Sequence, residues 1–182
     1  MRPLHQAEAR GEVAVVYAEA CRFCRQAPGP YAGQRRGPPP VELPAGRGRH
    51  GGYAVLGFWQ PGGAGQPLAA WQRAGSFTAD WFVQAVDEFR QTWRRPTGLV
   101  LDNASMHNAH VVQARHAAWA KRGLTLRFLP PYSPQLNRIE LLGPRCKPYG
   151  VRPQEYDSDQ WLLQRLEHVL TNVGKNYTIT FA

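Results

Sequence analysis

The chain has 182 residues, of which 22 are lysine or arginine and 13 are aspartate or glutamate, so its formal net charge is +9. This length suits one domain with a substantial core, and no apolar run approaches the roughly 20 residues that a membrane-spanning helix needs. An excess of basic side chains is typical of proteins that bind a polyanion, so we expect nucleic acid as a partner and no association with a membrane.

Strand patterns dominate the first half of the chain. Residues 1–12 are predicted to form an N-terminal extension, and Val13–Ala18 is a β-branched run typical of a buried strand. Residues 28–52 are so rich in Gly, Pro and Arg that they predict a long basic loop. Tyr53–Trp59 and Pro67–Arg73 flank glycine-rich turn residues, which predicts a hairpin.

Helical and strand patterns alternate in the second half. The predicted elements are a helix over residues 79–93, a strand over Gly98–Asp102, a helix from after Ser105 to about Lys121, a strand over residues 124–130 and a helix over residues 159–173. Thr78 is the expected N-cap of the first helix, and Gly123 is placed to end the second. The whole order predicts an α/β fold with a mixed sheet, in which an antiparallel hairpin start is followed by parallel strands.

Three carboxylates stand where apolar elements are predicted to end or begin. Glu19 directly follows the first strand, Asp102 ends the strand that begins at Gly98, and Glu140 follows the proline-rich loop "LPPYSPQLNRI". Carboxylates in such positions can converge at one end of a sheet, where they would repel one another without a cation. Mg²⁺ prefers oxygen ligands, and two ions can stabilise both the attacking and the leaving oxygen in phosphodiester chemistry. The three acids therefore predict a metal site that acts on nucleic acid.

Each acid also has a structural interpretation that stays open. Asn137 and Glu140 have the spacing of a capping box, in which Asn137 would be the N-cap. Asp102 with Asn103 suits the start of a turn, and Glu19 suits a strand end that faces water. The candidate DNA contacts are Arg35, Arg36, Arg47, Arg49 and Arg138. A basic loop that is merely solvated explains the first four of these arginines equally well.

Two segments resemble the paired core motifs of the DDE transposases of the mariner superfamily, in particular the bacterial insertion-sequence branch called IS-six-thirty. They are "LVLDNASMHNAH" and "LTLRFLPPYSPQLNRIELL". In that family an apolar strand ends in D-N-A-x-x-H, and a later strand leads into L-P-P-Y-S-P-x-L-N-P-I-E. Asp102, Asn103 and His107 match the first motif, and Asn137 and Glu140 match the second. The similarity covers most of the chain.

The resemblance implies an RNase H-like catalytic domain over residues 13–182, with helices on both faces of the sheet. It implies cleavage of DNA at the ends of an insertion sequence and strand transfer to a target, with two Mg²⁺ or Mn²⁺ ions. The implied metal ligands are Glu19, Asp102 and Glu140, and the implied residues behind them are Asn103, His107 and Asn137. We therefore expect an enzyme by ancestry, a polynucleotidyl transferase.

The partners that the resemblance implies are double-stranded DNA molecules, both the transposon ends and the target. The chain has no counterpart of the family's N-terminal helix-turn-helix domain, so we expect a separate helix-turn-helix subunit or the product of an upstream reading frame. A homodimer on DNA is a further expectation. The implied location is the bacterial cytoplasm, in association with the nucleoid.

Three departures from the family pattern bear on activity. Glu19 stands where the family has aspartate, and Ala20 stands where a glutamate is common. Pro144 lies four residues after Glu140 and predicts a short or kinked helix there. These departures favour an alternative, in which the chain is an inactive or repurposed transposase remnant that binds DNA without cleaving it. A metal-dependent nuclease that cleaves without joining strands is a third interpretation.

Overall fold

A computed structural model describes residues 1–24, 52–61, 68–93, 95–131, 133, 136, 137, 139 and 158–172. The strands are β1 Ala14–Cys24, β2 Gly52–Trp59, β3 Ala69–Ala74, β4 Thr97–Leu101 and β5 Leu124–Phe128. The helices are α1 Arg2–Ala9, α2 Ala79–Thr92, α3 His110–Gln113, α4 His116–Lys121 and α5 Asp159–Asn172, and a 3-10 turn covers Ser105–Asn108. None of these helices is both long and apolar enough to cross a bilayer.

The strands form one sheet in the order β3-β2-β1-β4-β5, with β1 at its centre. β1 pairs antiparallel with β2, and β2 pairs antiparallel with β3. On its other side, β1 pairs parallel with β4, and β4 pairs parallel with β5. The prediction of a mixed sheet, with an antiparallel hairpin start followed by parallel strands, is confirmed.

Helices cover both faces of this sheet. The side chains of β1 point alternately to the two faces and so contribute to two separate cores. Val16 and Ala18 face the core that contains α2, α3 and α4, where Phe82 and Trp119 are fully buried. Val15 and Tyr17 face the opposite core, which α1 and α5 cover. The expected arrangement of helices on both faces is therefore present.

The predicted helix over residues 79–93 and its cap are confirmed in α2. The hydroxyl of Thr78 accepts a hydrogen bond of 3.3 Å from the backbone N–H of Trp81. Asp87 on the same helix accepts a hydrogen bond of 2.7 Å from the indole N–H of Trp119, which ties α2 to α4. α2 thus packs as a rigid element behind the central strands.

The first strand is longer than predicted, so the prediction that Glu19 ends it is wrong. β1 continues to Cys24 because β2 pairs with it along its outer half, where Glu19 lies opposite Gly57. The outer half of β1 has no hydrophobic run in the sequence that would predict a strand. Its hydrogen bonds with β2 hold it in the strand conformation. Glu19 is therefore a residue inside the central strand.

The predicted helix between Ser105 and Lys121 is broken into the 3-10 turn, α3 and α4. Ala109 adopts an extended conformation with φ −64° and ψ 149°, which interrupts the helical hydrogen bonds. Gly123, at φ 79°, follows the end of α4 as predicted, because a residue without Cβ adopts this conformation at little cost.

Some predicted features fall on other parts of the chain. Residues 2–9 of the expected N-terminal extension form α1, whose Leu4 packs against β4 at Gly98. Residues 28–51 of the basic loop and the segment around Pro144 lie outside the described residues. Gly52, assigned to that loop, already belongs to β2.

Candidate active site

Glu19 and Asp102 lie on neighbouring parallel strands at matching positions. Tyr17 of β1 lies opposite Val100 of β4. Glu19 follows Tyr17 by two positions, and Asp102 follows Val100 by two positions. Neighbouring strands are about 4.8 Å apart, and the same register continued by two residues would set the two acids next to each other where β4 ends. The pairing of β1 with β4 is described as far as Tyr17 and Val100, so the approach of the two acids at this end of the sheet stays a prediction, and β1 itself continues past Glu19.

Asp102 is held by two groups from the segment that follows it. Its Oδ1 lies 2.9 Å from Nδ1 of His107 and accepts a hydrogen bond of 3.3 Å from the backbone N–H of Ala104. The hydrogen bond from His107 is the largest cause that lowers the pKa of Asp102 from 3.8, and partial burial opposes it. Asp102 is therefore ionised at neutral pH, and its side chain is 44% exposed. Asp102 can therefore begin a turn, as one interpretation has it, and still offer its carboxylate to a metal ion, as the other has it.

His107 faces Asp102 from the core. Its side chain is 4% exposed, and its ring packs against Phe82 with the centroids 4.8 Å apart. The two oxygens near Nδ1, which are Oδ1 and the backbone oxygen of Asp102, can only accept, so Nδ1 carries the hydrogen. Nε2 is buried and has no hydrogen-bond partner among the described residues. This is the geometry expected of a residue that orients a carboxylate from behind.

Asn103, which the resemblance also assigned behind the metal ligands, closes the same turn. Its Oδ1 accepts a hydrogen bond of 3.0 Å from the side-chain amide of Asn108. The side chain of Asn103 is exposed, so this contact stiffens the turn from the solvent side. Asp102 is thus contacted by the buried His107, and the turn that follows Asp102 is stiffened by the exposed Asn103.

The end of the proline-rich loop docks on β1 through Asn137. This residue is 1% exposed, and its Nδ2 donates hydrogen bonds to Oε2 of Glu19 at 2.9 Å and to the backbone oxygen of Ala18 at 3.3 Å. Ile139, also 1% exposed, packs over β2, where a Cβ on Gly57 would lie 3.3 Å from its Cδ1. The spacing predicted Asn137 as a helix cap and the resemblance placed it behind the metal ligands, but neither predicted its contact with Glu19, which spans 118 residues and leaves no local pattern.

The remaining predicted site residues fall outside the described part of the chain. They are Glu140, Arg35, Arg36, Arg47, Arg49 and Arg138. Among the described residues, no three His, Cys, Asp or Glu side chains form a group that could hold a metal ion. The structure thus brings Asp102 together with His107 and Glu19 together with Asn137, and the roles of these and of the other residues stay predictions.

The chemistry of the described groups fits a hard divalent cation. Asp102 is ionised and open to solvent, and Glu19 offers a second carboxylate at the matching position of the next strand. Mg²⁺ and Mn²⁺ prefer oxygen ligands of this kind. His107 and Asn137 each donate a hydrogen bond to one of these carboxylates, as residues behind metal ligands commonly do.

Comparison with known proteins identifies the family of the chain and the class of its fold. The profile of the DDE superfamily endonuclease family matches residues 14–159, from β1 to the first residue of α5. No curated protein matches the chain.

Three solved structures are similar to the chain at the level of the fold. The Mos1 strand transfer complex has a TM-score of 0.64 and 13% identity, over 96% of this chain and 53% of that chain. The Mos1 mariner paired end complex with Mn has a TM-score of 0.59 and 13% identity, over 93% and 52%. The catalytic core domain of BIV integrase has a TM-score of 0.55 and 12% identity, over 92% and 87%. The fold is therefore that of RNase H-like transposase and integrase cores, and the chain spans about half the length of the two Mos1 chains.

Proposed function

Because the chain belongs to the DDE superfamily of endonucleases, we propose that it is a transposase catalytic domain. In this proposal it cleaves DNA at the ends of an insertion sequence of the IS-six-thirty branch and transfers the freed strand to target DNA. Glu19, Asp102 and Glu140 hold two Mg²⁺ or Mn²⁺ ions. The observation that supports the proposal is the parallel register of β1 and β4, in which Tyr17 lies opposite Val100, two residues before Glu19 and two before Asp102.

The docking of the loop segment supports Glu140 as the third ligand. Asn137 is bonded to Glu19, and Ile139 is buried over Gly57 on the strand next to β1. One peptide bond separates Ile139 from Glu140, and consecutive Cα atoms are about 3.8 Å apart. The third acid of the motif thus follows directly on a segment that is anchored beside the first.

The residues of the chain have separable tasks in this reaction. Divalent ions, when bound, supply positive charge that activates the attacking oxygen and stabilises the leaving oxygen of the phosphodiester. The N–H of His107 keeps Asp102 ionised and oriented, and the amide of Asn137 orients Glu19. The basic residues proposed to contact the DNA phosphates are Arg35, Arg36, Arg47, Arg49 and Arg138.

The proposed partners are duplex DNA ends and target DNA. Two of the similar structures are a Mos1 strand transfer complex and a Mos1 paired end complex, which supports DNA as the partner of this chain too. We infer that a helix-turn-helix subunit, or the product of an upstream reading frame, recognises the ends, and that two copies act together on DNA. These partners follow from the resemblance to the mariner superfamily.

A plasmid-nicking assay tests the proposed activity. Supercoiled plasmid is incubated with the native chain, with Asp102→Asn and with Asp80→Asn, in Mg²⁺ and in Mn²⁺. Asparagine can still accept the bonds from His107 and Ala104, so the fold is preserved while the ligand charge is lost. We expect Asp102→Asn to nick at least about 100-fold more slowly, because even residues behind metal ligands contribute 10- to 100-fold.

Asp80 is an exposed acid in the first turn of α2 and serves as the matched control. Equal nicking by the native chain and Asp102→Asn would contradict the proposed site. Joining of a 3′-hydroxyl oligonucleotide to the plasmid separates a transposase from a nuclease that only cleaves.

The second candidate function is a remnant that binds DNA without cutting it. The observation that favours it is the glutamate at position 19, whose carboxylate is engaged by Asn137. This candidate predicts salt-sensitive DNA binding with no nicking and no binding of divalent ions by calorimetry. Ion binding together with metal-dependent nicking would exclude it.

A further inference from the structure

We propose that Glu19 and Asn137 are a length-matched pair, in which Asn137 is a positioning residue and the extra methylene of glutamate is required for the contact. The proposal rests on the proposed function, since it concerns how one suggested metal ligand is held. Its physical basis is the hydrogen bond of 2.9 Å from Nδ2 of Asn137 to Oε2 of Glu19.

The position of the Asn137 amide is fixed by the backbone of β1. Its nitrogen carries two hydrogens, and one of them bonds the carbonyl oxygen of Ala18 at 3.3 Å. That oxygen belongs to the central strand of the sheet and cannot move independently of it. The second hydrogen therefore points to a defined place beside β1, and the side chain at position 19 has to reach that place.

The orientation of the amide is fixed as well. Both groups that face Nδ2 are acceptors, so turning the amide over would set its own oxygen against the oxygens of Ala18 and Glu19. Oδ1 of Asn137 is buried and has no partner among the described residues, which shows that the two bonds of the nitrogen determine the orientation. Asn137 thus acts as a fixed donor toward position 19.

A shorter acid cannot complete this arrangement. Aspartate lacks one methylene, which withdraws the carboxylate toward β1 by up to about 1.5 Å, the length of one C–C bond. From 2.9 Å, the distance to Nδ2 then exceeds the roughly 3.2 Å limit of a good N–H to oxygen bond, and a buried N–H is left unpaired. Aspartate, the residue that the resembling family has at this position, is therefore the worse residue in this chain.

The pair can be tested by moving the methylene from one partner to the other. Thermal unfolding is measured in metal-free buffer for the native chain, Glu19→Asp, Asn137→Gln and the double variant Glu19→Asp/Asn137→Gln. Each single change breaks a partly buried, charge-assisted contact, so we expect Tm to fall by roughly 3 to 12 °C. The double variant restores the combined length of the two side chains and should recover at least half of that loss.

The control is Glu88→Asp, which shortens another glutamate that bonds a partly buried partner, here the indole N–H of Trp71 at 2.6 Å. Calorimetry with Mn²⁺ alone then separates positioning from stability. Glu19→Asp should bind Mn²⁺ about 10-fold more weakly, and the double variant should regain most of this affinity. Glu88→Asp should lower Tm and leave the affinity unchanged.

The outcomes decide the two proposals separately. Recovery of Tm and of Mn²⁺ affinity in the double variant supports the length-matched pair. Losses in the single variants that simply add in the double variant would overturn it, because independent sites show no such coupling. A native chain that binds no Mn²⁺ would overturn the proposed function, while the unfolding temperatures would still show whether the pair exists.

Discussion

Asp102 and Glu19, the two described carboxylates of the proposed site, are held in opposite ways. Both groups that bond the side chain of Asp102, the N–H of Ala104 and Nδ1 of His107, come from the next five residues. Glu19 is bonded by Asn137, which follows it by 118 residues. One half of the candidate site is therefore organised by local sequence, and the other half includes a contact that forms only when the end of the loop packs on the sheet.

This difference explains which half sequence reasoning could find. A short motif can specify a turn, because its members are close whatever the rest of the chain does. A contact over 118 residues depends on the register of β1 and on the path of the intervening chain. The local half should tolerate changes elsewhere in the fold, whereas the long-range half should respond to any change that shifts the loop.

The largest expected effect comes from breaking the local half at His107. His107→Phe keeps an aromatic ring against Phe82 but removes the hydrogen bond to Asp102. We expect Mn²⁺ affinity to fall about 10- to 100-fold. Tm should stay the same or rise, since the change also removes the buried nitrogen Nε2, which has no partner among the described residues.

His107→Asn is the reciprocal control, because its amide can donate from nearly the place of Nδ1 while the ring is lost. It should keep most of the Mn²⁺ affinity and lose stability, as the core beside Phe82 is no longer filled. If both variants lost affinity in proportion to their loss of Tm, His107 would be a packing residue with no separate effect on Asp102.

The next largest effect should come from displacing the long-range half. A Cβ added at Gly57 would lie 3.0 Å from Cδ1 of Leu68 and 3.3 Å from Cδ1 of Ile139. Gly57→Ala should therefore push the loop segment away from β2 by a few tenths of an ångström. We expect a three- to tenfold loss of Mn²⁺ affinity, about the order that a small misplacement of ligands produces.

Gly98→Ala is the matched control for this prediction. A Cβ there would lie 2.7 Å from Cδ1 of Leu4, so the change disturbs the contact of α1 with β4. It should lower Tm without altering Mn²⁺ affinity. The long-range interpretation would be contradicted by equal losses of affinity in Gly57→Ala and Gly98→Ala.

The same division between local and long-range causes runs through the fold. α2 and its Thr78 cap could be predicted because helical periodicity and a capping residue are properties of a short window. The outer half of β1 could not be predicted from a short window, because it is a strand only through its pairing with β2. The break at Ala109 was also missed, since the residues around it carry no Pro or Gly that would indicate an interruption.

The smallest expected effect concerns Thr78, a local contact that touches neither acid. Thr78→Ala removes the N-cap bond to Trp81, which should cost about 1 kcal/mol and lower Tm by roughly 2 to 4 °C. Ser76→Ala, at an exposed residue just before the helix, should leave Tm nearly unchanged.

Phe82, which packs against His107, lies one turn into the same helix but is fully buried in the core. The core should therefore hold Phe82 in place without the cap, and Mn²⁺ affinity should be unaffected. A loss of affinity in Thr78→Ala would mean that the local half of the site depends on α2 as a whole, and the contrast between Asp102 and Glu19 would then be one of degree.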